Sequence, residues 1–179
     1  MMVGKNIILV GRPGSGKSTL GWLVAEKLKM EYFNIDSMAV SRLGLKHPIQ
    51  LFTRVSELVD AMRSVIYELP GNLSNAVIDV GGEAFVYREN IDALKLLGTI
   101  IHIKRNPELI EAERQGSGLV LKNMNTGEII DIGKHGREEY DRITTYEEFS
   151  DIEIANDGTL EDGVTAITEV IIKSEAYGS

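Results

Sequence analysis

Eight consecutive residues, Gly11-Arg12-Pro13-Gly14-Ser15-Gly16-Lys17-Ser18, carry the most specific chemistry in the chain. Their order, G-x-x-x-x-G-K-[ST], suits a polyanion. The glycines let the backbone wrap closely and turn successive N–H groups inward around phosphate oxygens. A helix starting directly afterwards adds the positive end of its dipole. Lys17 has the reach to touch the β- and γ-phosphates of a nucleoside triphosphate, and Ser18 supplies an oxygen to Mg²⁺. Thr19 adds a neighbouring hydroxyl at the helix start and is grouped with the nucleotide-binding residues without a role of its own. At ordinary residue frequencies a chance match in such a chain is on the order of one per cent. Here the motif also lies between an apolar run and an amphipathic stretch, the context it requires.

The elements that must position this loop follow from the apolar pattern. Lys5–Val10 is a continuous run rich in Ile and Val, predicted as a strand buried on both faces. Thr19–Leu28 has Leu20, Leu23, Val24 and Leu28 at helical spacing. Tyr32–Ile35, Ala76–Val80, Thr99–Ile103 and Ile152–Ala155 are further strand candidates. Helical patterns at His47–Glu68, Arg88–Leu97, Pro107–Gln115 and Thr159–Lys173 lie among them. Alternation of this kind predicts right-handed βαβ units: a three-layer α/β/α domain with a five-stranded parallel sheet.

Length and composition bound the function. The 179 residues fit one domain, and 43% apolar with 26% charged residues is the balance of a soluble globular protein. The net charge of −8 disfavours a nucleic-acid surface. With no cysteine, the chain has no disulfide, thiolate zinc site or thiol nucleophile. No apolar run reaches membrane-spanning length, and the apolar run at the start leads into a glycine-rich loop rather than a signal-peptide cleavage site. A cytoplasmic monomer with no membrane and no nucleic-acid partner is the expectation. Gly116–Gly136, polar and rich in glycine, is long for a connection inside a compact domain and is expected to be a lid. His47, His102 and His135 lack ligand spacing and are expected to be structural.

A GTPase switch would carry an N-K-x-D-type guanine motif after a late strand, and none lies near Thr99–Asn106. A small-molecule kinase fits the size, the lid and the order of elements. Lys5–Leu28, Tyr32–Gly44 (YFNIDSMAVSRLG), Ala76–Asn90 (AVIDVGGEAFVYREN) and Arg142–Asp151 (RITTYEEFSD) together resemble the shikimate kinase family, with the phosphate loop as the sharpest point. The resemblance implies one kinase domain over 1–179, with a core at about 1–33, 70–110 and 143–179, a substrate-binding helical segment at about 34–69 and a lid at about 112–137. It implies transfer of the γ-phosphate of ATP, with Mg²⁺, to a hydroxyl of shikimate. A kinase for another small metabolite, such as a sugar acid or a nucleoside monophosphate, or a nucleotide-binding paralogue without shikimate activity, is the alternative.

The resemblance also assigns residues. Asp36 matches the family acid that contacts the substrate hydroxyls and joins Lys17 as a catalytic residue; as an N-cap for the following helix it has a purely structural reading too. Beside it the family has a second acid where this chain has Asn34. Asp79, closing its strand, lies where phosphate-loop proteins place an acid that helps hold Mg²⁺ and could compensate. Gly81 and Gly82 match two glycines of a substrate loop whose third is here Glu83, adding bulk and negative charge. Arg63 and Arg142 are candidates for the substrate carboxylate, with Arg54 competing for the first role. Arg114 matches the arginine that packs over adenine. The family's lid arginine has no counterpart in Gly118-Leu119-Val120-Leu121, and Lys122, Lys134 and Arg137 are the possible substitutes.

Overall fold

The computed structural model describes residues 6–45, 54–85, 87–117, 121–122, 129–130 and 145–176. Five strands form one parallel sheet: β1 (Asn6–Val10), β2 (Glu31–Asn34), β3 (Ala76–Asp79), β4 (Gly98–Lys104) and β7 (Ile152–Ala155), in the order β2-β3-β1-β4-β7. The helices are α1 (Lys17–Leu28), α2 (Ile35–Arg42), α3 (Val55–Glu68), α4 (Gly82–Phe85), α5 (Arg88–Leu97), α6 (Pro107–Ser117), α7 (Thr145–Phe149) and α8 (Leu160–Ala176). The expected doubly wound architecture is therefore present.

Strand side chains alternate between two cores. Ile8, Val10, Ile78 and Ile100 pack with α2, α3, α4 and α5 through Ile35, Met62, Ile66, Phe85 and Leu94. Ile7, Leu9, Val77, Ile101 and Ile154 pack on the other face with α1 and α8 through Leu20, Val24, Ile167 and Ile171. Because both faces are covered, β1 reads as an uninterrupted apolar run after Asn6, and all five of its residues are buried. Asn6 is the polar exception. It donates from Nδ2 to the carbonyls of Leu73 and Leu97 at 2.8 and 2.9 Å and accepts from Ala76 N–H at 3.1 Å, tying the lower end of the sheet together.

Chain order reverses around β1, which has β3 on one side and β4 on the other. In open parallel sheets the crevice at such a switch point, beyond the carboxyl ends of the strands, is where ligands bind. The Gly11–Gly16 loop, Asn34 and Asp79 all lie at carboxyl ends of these strands.

Three expectations shift. Ile35 opens α2 rather than closing β2, because Asn34 caps the helix from the strand end. The helix expected from His47 is described from Val55, residues 46–53 lying outside the described residues. Within the expected lid, β5 (Leu121–Lys122) pairs antiparallel with β6 (Ile129–Ile130), regular structure that the glycine-rich composition did not suggest. Among the described residues no helix is long and apolar enough to cross a membrane.

Candidate active site

The phosphate loop is shaped by neighbours that leave no room for side chains. Gly14 and Gly16 adopt φ of 84° and 87°, the left-handed region that glycine tolerates. A Cβ on Gly16 would sit 2.5 Å from Asn156 Nδ2. That amide, buried just past the end of β7, donates to the Ser15 carbonyl at 2.8 Å and so clamps the loop from below. Arg105, after β4, donates to the Gly14 carbonyl at 3.3 Å while paired with Glu113 at 2.6 Å. Within the loop, the Ser15 N–H donates to the Arg12 carbonyl at 3.0 Å, closing its turn.

Two observations fit this cradle to phosphate. The first turn of α1 contains no acid, and Gly16 provides no side-chain cap, so the amides at the helix start are not occupied by the protein's own carboxylate or hydroxyl. Among the described residues the buried Ser15 hydroxyl has no hydrogen-bond partner. An orphaned buried donor at a helix start is satisfied by an oxyanion. Lys17 is half-buried, and Ser18 and Thr19 are exposed on the same turn.

Asp36 stands opposite Lys17. It does not cap α2; Asn34 does that, accepting from Ser37 N–H at 2.7 Å. Asp36 instead accepts from the Gly81 N–H at 3.0 Å. Burial pushes its carboxyl up to about 6, with Glu83 and Asp79 adding to the rise and the Lys17 ammonium and the Gly81 amide opposing it. Gly81 is required here for space. A Cβ on it would overlap both oxygens and the carboxyl carbon of Asp36. The glycine expected to open the backbone to a ligand thus makes room for the acid. Gly81→Ala is expected to displace Asp36, lower turnover about 10²-fold and cost about 1–3 kcal/mol of stability. Steady-state kinetics and thermal melts check this, and wild-type values in both would refute it.

Asp79 ends β3 beside Asn34, its register partner on β2. It is 1% exposed, and its Oδ2 accepts from Asn34 Nδ2 at 2.6 Å and from the Tyr32 hydroxyl at 2.9 Å. The Tyr32 oxygen also lies 3.3 Å from the Ser18 carbonyl, so the acid and the exposed Ser18 hydroxyl belong to one neighbourhood. Burial, together with the Asp79 charge, holds the Tyr32 phenol up at about 12, and it stays a neutral donor. Among the described residues no group of three His, Cys, Asp or Glu can hold a metal alone. One hydroxyl and one carboxylate suit Mg²⁺, which retains water and takes its remaining oxygens from phosphates.

The wall beyond Asp36 is partly acidic. Glu83, in α4, lies close enough to raise both Asp36 and Tyr146. Tyr146, 3% exposed, stacks between Phe85 and His102 at 5.6 and 5.0 Å and donates to the Gly11 carbonyl at 3.4 Å. Arg12 is near enough to oppose the rise in its phenol, which is caused mainly by burial. His102 is buried, which lowers its affinity for a proton, and its role in that stack is structural as expected. His47 and His135 lie outside the described residues.

The structure thus brings together Gly11, Gly14, Ser15, Gly16, Lys17, Ser18, Thr19, Asp36, Asp79, Gly81 and Gly82 at one end of the sheet. The Arg63 guanidinium lies 5.2 Å from the centre of the Tyr87 ring, and among the described residues its buried Nε has no hydrogen-bond partner. Arg54 pairs with Glu57. Arg114 lies on α6, its side chain outside the described residues; Arg142, Lys134 and Arg137 are outside them altogether, as is the Lys122 side chain. Sequence reasoning missed Tyr32, Asn156, Arg105 and the bond between Asn34 and Asp79. A polar residue directly after a strand, as Asn156 is after β7, was the available signal.

Comparison with known proteins agrees in one direction. The sequence model described as shikimate kinase matches residues 13–172. A shikimate kinase of Geobacter sulfurreducens is 30% identical over 135 residues, 71% of each chain. One from Clostridium botulinum (strain Alaska E43) is 27% identical over 168 residues, 94% of this chain and 98% of its own length. The solved structure of the Acinetobacter baumannii shikimate kinase in complex with shikimate has a TM-score of 0.73 at 24% identity, covering 95% of this chain and 94% of that one, a likeness of fold.

Proposed function

Since the chain belongs to the shikimate kinase family, ATP-dependent phosphotransferases acting on a hydroxyl, we propose that it converts shikimate to shikimate 3-phosphate with Lys17 and Asp36 as its catalytic residues. The observation that supports this assignment is the Asp36 carboxylate, held by the Gly81 amide opposite Lys17 at the mouth of an uncapped phosphate loop.

In this reading the loop amides, Ser15 and Thr19 hold the triphosphate, and Arg114 contributes on the adenine side. Ser18 and Asp79 serve Mg²⁺, which when bound neutralises charge on the β- and γ-phosphates. Lys17 offsets charge on the phosphoryl group as it leaves the β-phosphate oxygen. Asp36 accepts a hydrogen bond from the acceptor hydroxyl and takes its proton as the new P–O bond forms. The transition state is loose, so positioning and electrostatics supply most of the rate. Segment 34–69 carries the acceptor side, with Arg63, Gly81, Gly82 and Arg142 towards the substrate. Segment 112–137 closes as a lid and excludes water as a competing acceptor.

ADP release measured with shikimate against a panel of polyols, sugar acids and nucleoside monophosphates tests the reading. A kcat/KM for shikimate well above all others supports it, and equal or better turnover of another acceptor overturns it.

Glu83 gives a second, quantitative handle. Its carboxylate shares a wall with Asp36, so it repels a carboxylate-bearing acceptor. Glu83→Gly is expected to lower the KM for shikimate about 3–10-fold with a smaller change in kcat. A KM that stays put or rises would show that Glu83 faces no part of the acceptor.

A further inference from the structure

We propose that Asn34 and Tyr32 are positioning residues that hold the Asp79 carboxylate in place for the divalent cation, and that strand positions 34 and 79 form one seat for a single acid that either strand can supply. The inference rests on the Mg-nucleotide reading of the phosphate loop and concerns how its acid is held.

The geometry is specific. Residues 34 and 79 are opposite one another at the ends of two parallel strands. The Asn34 amide is fixed in orientation by both of its ends: Oδ1 accepts from Ser37 N–H at 2.7 Å, and Nδ2 donates to Asp79 Oδ2 at 2.6 Å. Flipping the amide would set oxygen against carboxylate and nitrogen against N–H, two repulsions in place of two bonds. Tyr32 donates to the same Oδ2 at 2.9 Å. A carboxylate that is 1% exposed needs hydrogen-bond partners for its oxygens. Among the described residues its two donors, the Asn34 amide and the Tyr32 hydroxyl, are neutral. They fix the direction of the carboxylate beside Ser18 without placing a cation of the protein's own against it.

The same contact explains why only one of the two positions is acidic. Two carboxylates at 2.6 Å would share a proton and act as one charge with a raised affinity for protons. An aspartate at 34 would cap α2 as well as asparagine does, and an asparagine at 79 would return a donor to it. Exchanging the residues therefore conserves the cap, the charge and the hydrogen bond.

The test is Mn²⁺ binding to the ADP complex, followed by electron paramagnetic resonance, with thermal melts and metal-free ADP titrations alongside. Asp79→Asn is expected to weaken Mn²⁺ about 10–100-fold while metal-free ADP affinity stays within about 3-fold. Tyr32→Phe, which removes a donor and leaves the charge, is expected to weaken it about 10-fold. The double exchange Asn34→Asp with Asp79→Asn is expected to recover wild-type Mn²⁺ affinity to within about 3-fold. Wild-type Mn²⁺ affinity in Asp79→Asn, or a double exchange no better than Asp79→Asn alone, overturns the proposal. Should Asp79→Asn fail to fold, Tyr32→Phe decides: a lower melting temperature with unchanged Mn²⁺ affinity means a structural role only and sinks the idea. Failure of the wild-type protein to bind Mn²⁺ with ADP removes the functional reading as well, which separates the two failures.

Discussion

Replacing Lys17 with alanine is expected to slow phosphoryl transfer about 10³-fold or more while the protein stays folded. The two halves of this expectation have separate causes. Lys17 opens α1 with its side chain half-buried, and no salt bridge to it occurs among the described residues. Truncation therefore removes no ion pair seen there, and a stability change within about 1 kcal/mol follows. The catalytic loss is larger because, in the proposed mechanism, the charge that Lys17 meets grows along the reaction. A second readout ties the residue to Asp36. The Lys17 ammonium opposes the rise in the Asp36 carboxyl, so without it that group holds its proton to higher pH. The rising limb of whatever activity remains in Lys17→Ala should move to higher pH than in the wild type. Turnover within tenfold of wild type would defeat the assignment of Lys17.

The phosphate loop was legible because its chemistry is local. Eight adjacent residues make the cradle, and the apolar run before it and the helical spacing after it are short-range patterns. The central strands β1, β3 and β4 were legible for the same reason: Ile- and Val-rich stretches covered on both faces leave continuous apolar runs. Contacts made across the sheet were not legible. Asn34 lowered the expected acidity of the site when taken alone, and only the register with Asp79 shows that the acid stands one strand away. Asp36 was open between cap and functional acid, because both need an aspartate at the head of a helix; in the fold Asn34 is the cap and Asp36 accepts from the Gly81 amide, 45 residues later in sequence. Asn156 and Tyr146 reach the loop from 141 and 135 residues away. Such pairs leave no periodic trace. The contact of Arg63 with the Tyr87 ring, between residues 24 positions apart, is another pairing of this kind.

Asp36→Asn is expected to separate activity from stability, lowering one and raising the other. As the proposed acceptor of the substrate proton, Asp36 is expected to be worth about 10²–10⁴-fold in turnover, and its loss should leave ATP affinity nearly unchanged because the phosphate loop is untouched. In the wild type, activity should climb through about pH 6 as the Asp36 carboxyl ionises, then level off. Folding responds with the opposite sign. The native carboxyl holds its proton up to about pH 6, against 3.8 for the unperturbed group, so the unfolded chain releases that proton first. Stability contributed by this site is complete below the lower value, falls as pH rises between the two, and is lost above about 6. Asparagine can accept the same Gly81 N–H without carrying the charge that burial, Glu83 and Asp79 oppose. The variant should therefore exceed wild type by about 1–3 kcal/mol at pH 7.5 and gain nothing near pH 4. Thermal melts at the two pH values and a kcat profile from pH 5 to 8 check both halves. A variant that turned over normally would return Asp36 to a structural role. One that lost activity without gaining stability at neutral pH would show that the site holds the ionised carboxylate at no cost, against the burial that defines it.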